Sequence, residues 1–123
     1  MATVELTDKN FAETIENNEI VIIDFWAPWC GPCKMFGPIY EKVSGLFTDV
    51  VFGKVNTDVE QGLAHHFQIR SIPTIMIMRD RYILFEQPGM IGEQDLMEVI
   101  KKVKSLDMEE IKAQAAADSQ GSN

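Results

Sequence analysis

The chain has two cysteines, and both lie in one stretch, WAPWCGPCKMFGP, residues 26 to 38. Three kinds of chemistry suit a pair three residues apart: half of a zinc site, a structural staple, or a reversible dithiol–disulfide switch. Zinc in a structural site takes four nitrogen or sulfur ligands. The other candidates are His65 and His66, and neighbours on a helix point about 100° apart, which is poor for one shared ion. A staple across so short a loop removes little entropy from the unfolded chain. The switch has the geometry it needs. If Cys30 opens a helix and Cys33 lies one turn in, their α-carbons fall roughly 5 Å apart, inside the window for a disulfide. Pro28 and the Gly31-Pro32 pair suit a tight entry into a helix N-terminus. There the unpaired N–H groups and the positive end of the dipole favour a thiolate on Cys30. Cys33, deeper in the helix, is expected to be shielded. An exposed nucleophile and a buried resolving thiol are what exchange requires.

The elements that must position this pair are read from periodicity. TDKNFAETIENN suggests a first helix with Thr7 as its N-cap. EIVIIDFWA is a continuous apolar strand, the pattern of a strand covered on both faces. KMFGPIYEKVSGLF carries Met35, Ile39 and Val43 at helical spacing, with Pro38 inside as a kink. VVFGKVN is a second buried strand, and Thr57 with Glu60 has capping-box spacing for a third helix. IPTIMIM and YILFEQ are two strands joined by RDR, short enough for a hairpin. GEQDLMEVIKKVKSL closes as a helix, with Leu96, Val99, Ile100 and Val103 on one face. Crossover helices imply parallel pairing of the first strands, and the hairpin adds an antiparallel edge. A further strand at Val4–Leu6 is weakly signalled. Met76, Met78 and Met97 read as core filling, and the two histidines as helix-surface or core residues.

WAPWCGPCK, the order of elements, Asp24 six residues before Cys30, and SIPT about forty residues after it together resemble the thioredoxin family. The likeness runs from about residue 3 to 105. It implies an α/β thioredoxin fold: a mixed sheet of four to five strands flanked by about four helices. It also implies a protein-disulfide reductase working through a Cys30–Cys33 redox disulfide. Asp24 interrupts IVIID. It is either a strand-end carboxylate reaching water or a buried carboxyl of raised pKa beneath the cysteines, and the resemblance implies the second, relaying a proton from Cys33. Lys54 reads equally as a strand-end lysine or as the lysine that modulates that carboxyl in the family. Pro73 reads from sequence as a strand-entry proline; the resemblance makes it a cis-proline facing the cysteines. Ile72 before it would offer backbone hydrogen bonds to an extended client. Trp26 packs beneath the site, and Trp29, Gly31, Pro32, Ile72, Pro73 and Gly89 form an apolar docking lip. The turn RDR lacks the glycine many relatives use, and Pro88 stands where an apolar residue is more usual.

The totals set limits. With 123 residues, 46% apolar and 24% charged, one domain with one core is expected. We take residues 1–105 as that domain. Residues 106–123 form an extension: a short helix that Asp107 and Glu110 could cap, with the last six residues disordered, either frayed or docking a partner. A net charge of −8 and a pI of about 4.6 disfavour nucleic acid and anionic membrane surfaces. The start MATVELTDKNF lacks a basic and an apolar region, so no secretory signal is read, and if this is the native start a cytoplasmic location is expected. No dinucleotide fingerprint is present. The resemblance implies no bound cofactor or metal, with electrons coming from NADPH through a separate thioredoxin reductase. The expected partners are that reductase and disulfide-bearing clients, met by a monomer. Two rivals remain open: a redox-independent scaffold or specialised paralogue, and an oxidase or isomerase. Gly-Pro between the cysteines and the missing signal argue against the last.

Overall fold

The computed structural model describes residues 3–121. Five strands, β1 (Thr3–Glu5), β2 (Ile20–Trp26), β3 (Val51–Asn56), β4 (Thr74–Arg79) and β5 (Tyr82–Pro88), form one sheet in the order β1-β3-β2-β4-β5. β1 and β2 both pair with β3 in parallel, while β4 is antiparallel to β2 and β5 to β4. The helices are α1 (Phe11–Asn17), α2 (Gly31–Ser44), α3 (Gln61–His66), α4 (Glu93–Ser105) and α5 (Met108–Gly121). This is the expected α/β architecture with the weakly signalled first strand present as β1.

β2 reads as an unbroken apolar run because both of its faces are covered. Ile22 packs with Phe36, Tyr40 and Val43 of α2 and with Leu96 and Ile100 of α4. Ile23 and Phe25 face the other way, toward Phe11 of α1 and Leu63 and Phe67 around α3. At Gly53 in β3 a Cβ would overlap the buried Leu6 side chain, so a larger residue there would have to displace Leu6. Met76 and Met78 are buried and Met97 packs against the core, while both histidines are exposed.

Strand polarity assembles the site. The parallel β2 and β3 run toward the same edge, and β2 leaves that edge into WAPWC. Because β4 is antiparallel to β2, its beginning, with Ile72-Pro73, lies at the same edge; β5 returns there at Pro88-Gly89. Three segments distant in sequence therefore meet without long loops.

Several local expectations are corrected. Helix α1 begins at Phe11 with Asn10 at its N-cap position and no side-chain cap bond from Asn10, while the Thr7 carbonyl accepts from Phe11 N–H one turn earlier. The Thr7 hydroxyl accepts from Lys9 N–H, and its own N–H donates to Asn10 Oδ1. The Thr57–Glu60 capping box does not form, and α3 begins only at Gln61. Thr57 Oγ1 donates instead to the Trp26 carbonyl at 3.1 Å, and Glu60 accepts from Asp8 N–H at 3.0 Å. Both side chains were drawn to long-range partners. Pro38 lies inside α2 without ending it. The RDR turn works without glycine: Asp80 and Arg81 both take left-handed backbone angles (φ 51° and 71°). Asp80 is held there by its N–H on the Glu19 carbonyl and by an ion pair with Lys112.

The extension is more regular than expected. Asp107 Oδ1 accepts from the N–H groups of Glu109 and Glu110, and the alanine run carries α5 through Gly121. Asp118–Gly121, read from sequence as disordered, are helical; residues 122 and 123 lie outside the described residues. Met108 is buried beneath the first turn. Arg79 fastens this end of the fold. Its guanidinium pairs with Glu19 and donates to the carbonyls of Val103, Lys104 and Leu106 at the end of α4.

Candidate active site

Cys30 is the N-cap residue of α2, and Cys33 lies in its first turn. The pair is joined as a disulfide with α-carbons 5.2 Å apart, close to the spacing that helix geometry predicts. Gly31 and Pro32 occupy the first helical positions, where an N–H would have no intrahelical partner, so proline fits without loss. Cys33 N–H donates to Cys30 Sγ at 3.2 Å. Cys30 Sγ thus occupies the place a capping oxygen usually takes, at the positive end of a fourteen-residue helix. Once the pair is reduced, this N–H is a ready donor to a thiolate on Cys30.

The expected contrast in exposure is absent in this oxidised form: Cys30 and Cys33 are each 4% exposed. The loop before β4 covers the Cys30 sulfur, with Cys30 Sγ 3.7 Å from the Ile72 carbonyl oxygen. What separates the two cysteines is their place on the helix. Around them lie Ala27, Trp26 and Ile72.

The Ile72-Pro73 peptide is cis, as the resemblance implied. Gly89 N–H donates to the Pro73 carbonyl at 2.7 Å, so the start of β4 and the end of β5 are tied together beside the cysteines. Gly89 has φ +91°, a backbone angle that favours glycine. Trp29 is 68% exposed, with its indole N–H donating to Asp58 Oδ1 at 3.1 Å. Asp58 was missed in the sequence reading. It sits in the turn taken for helix, with its N–H on Asn56 Oδ1, and no motif marks it as the residue that orients Trp29.

Asp24 lies on the face of β2 that α2 covers, as the alternation from Ile22 requires. It is 1% exposed, and neither carboxyl oxygen has a hydrogen-bond partner. Burial pushes its pKa from the ordinary 3.8 up to about 7, against a smaller downward pull from the Lys54 ammonium. Of the two sequence readings, the buried carboxyl is the one found. Lys54 is its register neighbour on β3, with Nζ over the Trp26 ring at 4.6 Å. Tyr40, also missed, is wholly buried on α2 and donates to the Gly53 carbonyl at 2.7 Å. Burial raises its pKa well above the usual value, and the charges of Asp24 and Glu41 add to this.

Among the described residues, no cluster of three or more His, Cys, Asp or Glu side chains is arranged to hold a metal ion. Nor is any helix among them long and apolar enough to cross a membrane.

Comparison with known proteins agrees with this site. The thioredoxin family model matches residues 2–102. A putative thioredoxin 2 of Streptomyces coelicolor is 51% identical over 115 residues, covering 94% of this chain and 86% of the relative. The thioredoxin of Bacillus subtilis is 38% identical over 104 residues, covering 83% and 98%. Among solved structures, Plasmodium falciparum thioredoxin superposes with a TM-score of 0.75 at 33% identity, covering 81% of this chain and 97% of that one. The chain belongs to the thioredoxin family and is a protein-disulfide oxidoreductase that works through its Cys30–Cys33 pair.

Proposed function

We propose that Cys30 is the attacking nucleophile, Cys33 the resolving thiol, Asp24 the proton relay and Lys54 the group that modulates Asp24. The observation that carries this reading is the Cys33 N–H aimed at Cys30 Sγ at the start of α2. It stabilises a thiolate at Cys30 and offers nothing comparable to Cys33.

In the forward reaction the Cys30 thiolate attacks one sulfur of a client disulfide. A Cys30–client disulfide forms, and the second client sulfur leaves as a thiolate that takes a proton from water. Asp24, as carboxylate, accepts the Cys33 proton. The Cys33 thiolate then attacks Cys30 Sγ, the Cys30–Cys33 disulfide forms, and the remaining client sulfur leaves. Two electrons pass to the client and the pair is oxidised. With a pKa of about 7, Asp24 is close to half ionised at neutral pH, so it can both take and return a proton in each cycle.

Clients dock as an extended segment along the lip of Trp29, Gly31, Pro32, Ile72, Pro73 and Gly89, by strand addition on the backbone of Ile72. The exposed Trp29 ring beside the pair supports this. A separate thioredoxin reductase, drawing on NADPH, returns two electrons to the disulfide. The protein acts as a monomer in the cytoplasm, with residues 1–105 carrying the activity and 106–123 an accessory extension; the end of the family match at residue 102 supports that division.

Insulin reduction coupled to a thioredoxin reductase and NADPH tests the reading. Cys30→Ser should abolish turnover, and Cys33→Ser should trap mixed disulfides on a non-reducing gel. Turnover by Cys30→Ser equal to that of the unaltered protein, or a clean gel with Cys33→Ser, overturns the assigned roles.

A further inference from the structure

Among the described residues, Tyr40 is the one buried ionisable side chain near the site that the mechanism above leaves without a role. Cys33, Phe36 and Tyr40 follow at i, i+3 and i+7 on α2, and all three are buried. That stripe lies over the face of the sheet that carries Ile22 and Asp24. Tyr40 Oη donates to the Gly53 carbonyl at 2.7 Å. Gly53 immediately precedes Lys54, the register neighbour of Asp24, so the phenol oxygen sits one residue along from the pair that governs the carboxyl.

A phenol has one proton to donate, and here it is committed to a buried backbone carbonyl. Swinging it toward Asp24 would strand that carbonyl without a partner. Tyr40 therefore has only lone pairs to offer a nearby carboxyl. Lone pairs suit the O–H of a carboxylic acid and repel a carboxylate. Neither Asp24 oxygen has a hydrogen-bond partner, so Tyr40 acts on the carboxyl through space, as the charge of Asp24 acts on its phenol. We propose that Tyr40 is a positioning residue for Asp24: with its O–H held by Gly53, its oxygen favours the protonated carboxyl over the carboxylate.

The other ionisable groups that face Asp24 act separately. Lys54 on β3 favours the carboxylate. The cysteines at the start of α2 are uncharged as a disulfide. Glu41, next along α2, exerts its charge on Tyr40 and accepts from Thr3 Oγ1. β4 presents apolar Ile75 opposite Asp24. β2 has no other ionisable side chain. The inference rests on the proposed relay only for its consequence in catalysis, since the proton affinity of Asp24 is measurable without turnover.

The test is a titration of the Asp24 carboxyl carbon by NMR in the oxidised full chain, for the unaltered protein and Tyr40→Phe. The expected result is a midpoint lower by about half a pH unit or more in Tyr40→Phe, with the pH profile of mixed-disulfide resolution moving the same way. A midpoint that stays in place assigns Tyr40 to packing alone, and one that rises means that its O–H was serving the carboxylate; either overturns the proposal. Phe36→Leu, one turn earlier on the same stripe, controls for packing and should leave the midpoint within about 0.2 unit. Tyr40→Leu replaces Tyr40→Phe should the latter fail to fold. Asp24→Asn, run in the resolution assay, separates the two ideas: an unchanged profile there removes the relay role, while the NMR midpoint still decides Tyr40.

Discussion

Asp24 must make the protein less stable as pH rises, by an amount that follows from its burial. The carboxyl titrates at its ordinary 3.8 in the unfolded chain and at about 7 in the native state. Below pH 3.8 both states are protonated and the group has no effect on the balance. Between these values the native state holds a proton that the unfolded state has lost. Stability then falls by about 1.4 kcal/mol per pH unit and levels off above pH 7. The full span, 3.8 to about 7, corresponds to about 4 kcal/mol. Some of this is already lost by pH 5, which leaves about 2.5–3 kcal/mol between pH 5 and pH 8.5.

The perturbation is Asp24→Ala, which removes the titrating group. It also leaves a small cavity, but that cost does not depend on pH and cancels when each variant is compared with itself. Urea denaturation of the oxidised protein and of Asp24→Ala, at pH 5 and pH 8.5, reads the difference directly. The unaltered chain should lose about 2.5–3 kcal/mol more than the variant over that range. His65 and His66 are exposed and common to both proteins, so they do not enter the comparison. Parallel stability curves, with the two proteins losing the same amount within about 0.5 kcal/mol, would refute the claim that burial sets the proton affinity of this carboxyl.

Three further outcomes are expected. Lys54→Met removes the cation that favours the Asp24 carboxylate, so the Asp24 midpoint should rise above 7 in a carboxyl NMR titration; a fall would reverse the sign assigned to Lys54. Arg79→Ala should destabilise the chain by about 2–4 kcal/mol in urea, because it strands three carbonyls at the end of α4 and breaks the Glu19 pair; a loss under about 0.5 kcal/mol would make the network incidental. Truncation after Leu106 should keep insulin reduction within about twofold while lowering stability by about 1–2 kcal/mol, the worth of burying Met108; loss of activity with an intact fold would place part of the function in α5.

The parts of the site legible in the sequence share one property: their geometry is local. The Cys30–Cys33 spacing is set by one turn of helix, and the place of Gly31-Pro32 by the missing donors at its start. Asp24 stood out because a charge in an apolar run is costly at any fold. The parts that were missed depend on pairing across the sheet. Thr57 and Glu60 have capping-box spacing, yet each has a better partner elsewhere, on β2 and at Asp8. Tyr40 has the periodicity of an ordinary core residue, and nothing local reveals that its hydroxyl reaches Gly53. Asp58 and Arg79 matter through Trp29 and the end of α4, 29 and 24–27 residues away. The cover over Cys30 in the disulfide form comes from the Ile72 loop, 42 residues distant, which nothing local reveals.

These long-range pairings also explain why the site tolerates a buried acid. An unpartnered carboxyl beneath α2 destabilises the ionised fold, and a donor placed beside it would relieve that at once. Such a donor would also return Asp24 toward its ordinary 3.8, where it is fully ionised at neutral pH and a weak acceptor for a thiol proton. Proton affinity near neutrality therefore requires the carboxyl to stay without a donor, and the surroundings comply. Ile75 opposite it is apolar, the Tyr40 proton is held by Gly53, and the Lys54 ammonium lies over the Trp26 ring and donates no bond to Asp24 in the structure. The stability given up at Asp24 is offset far from the chemistry, in the two-sided core around β2 and in the Arg79 network at the opposite end of β4.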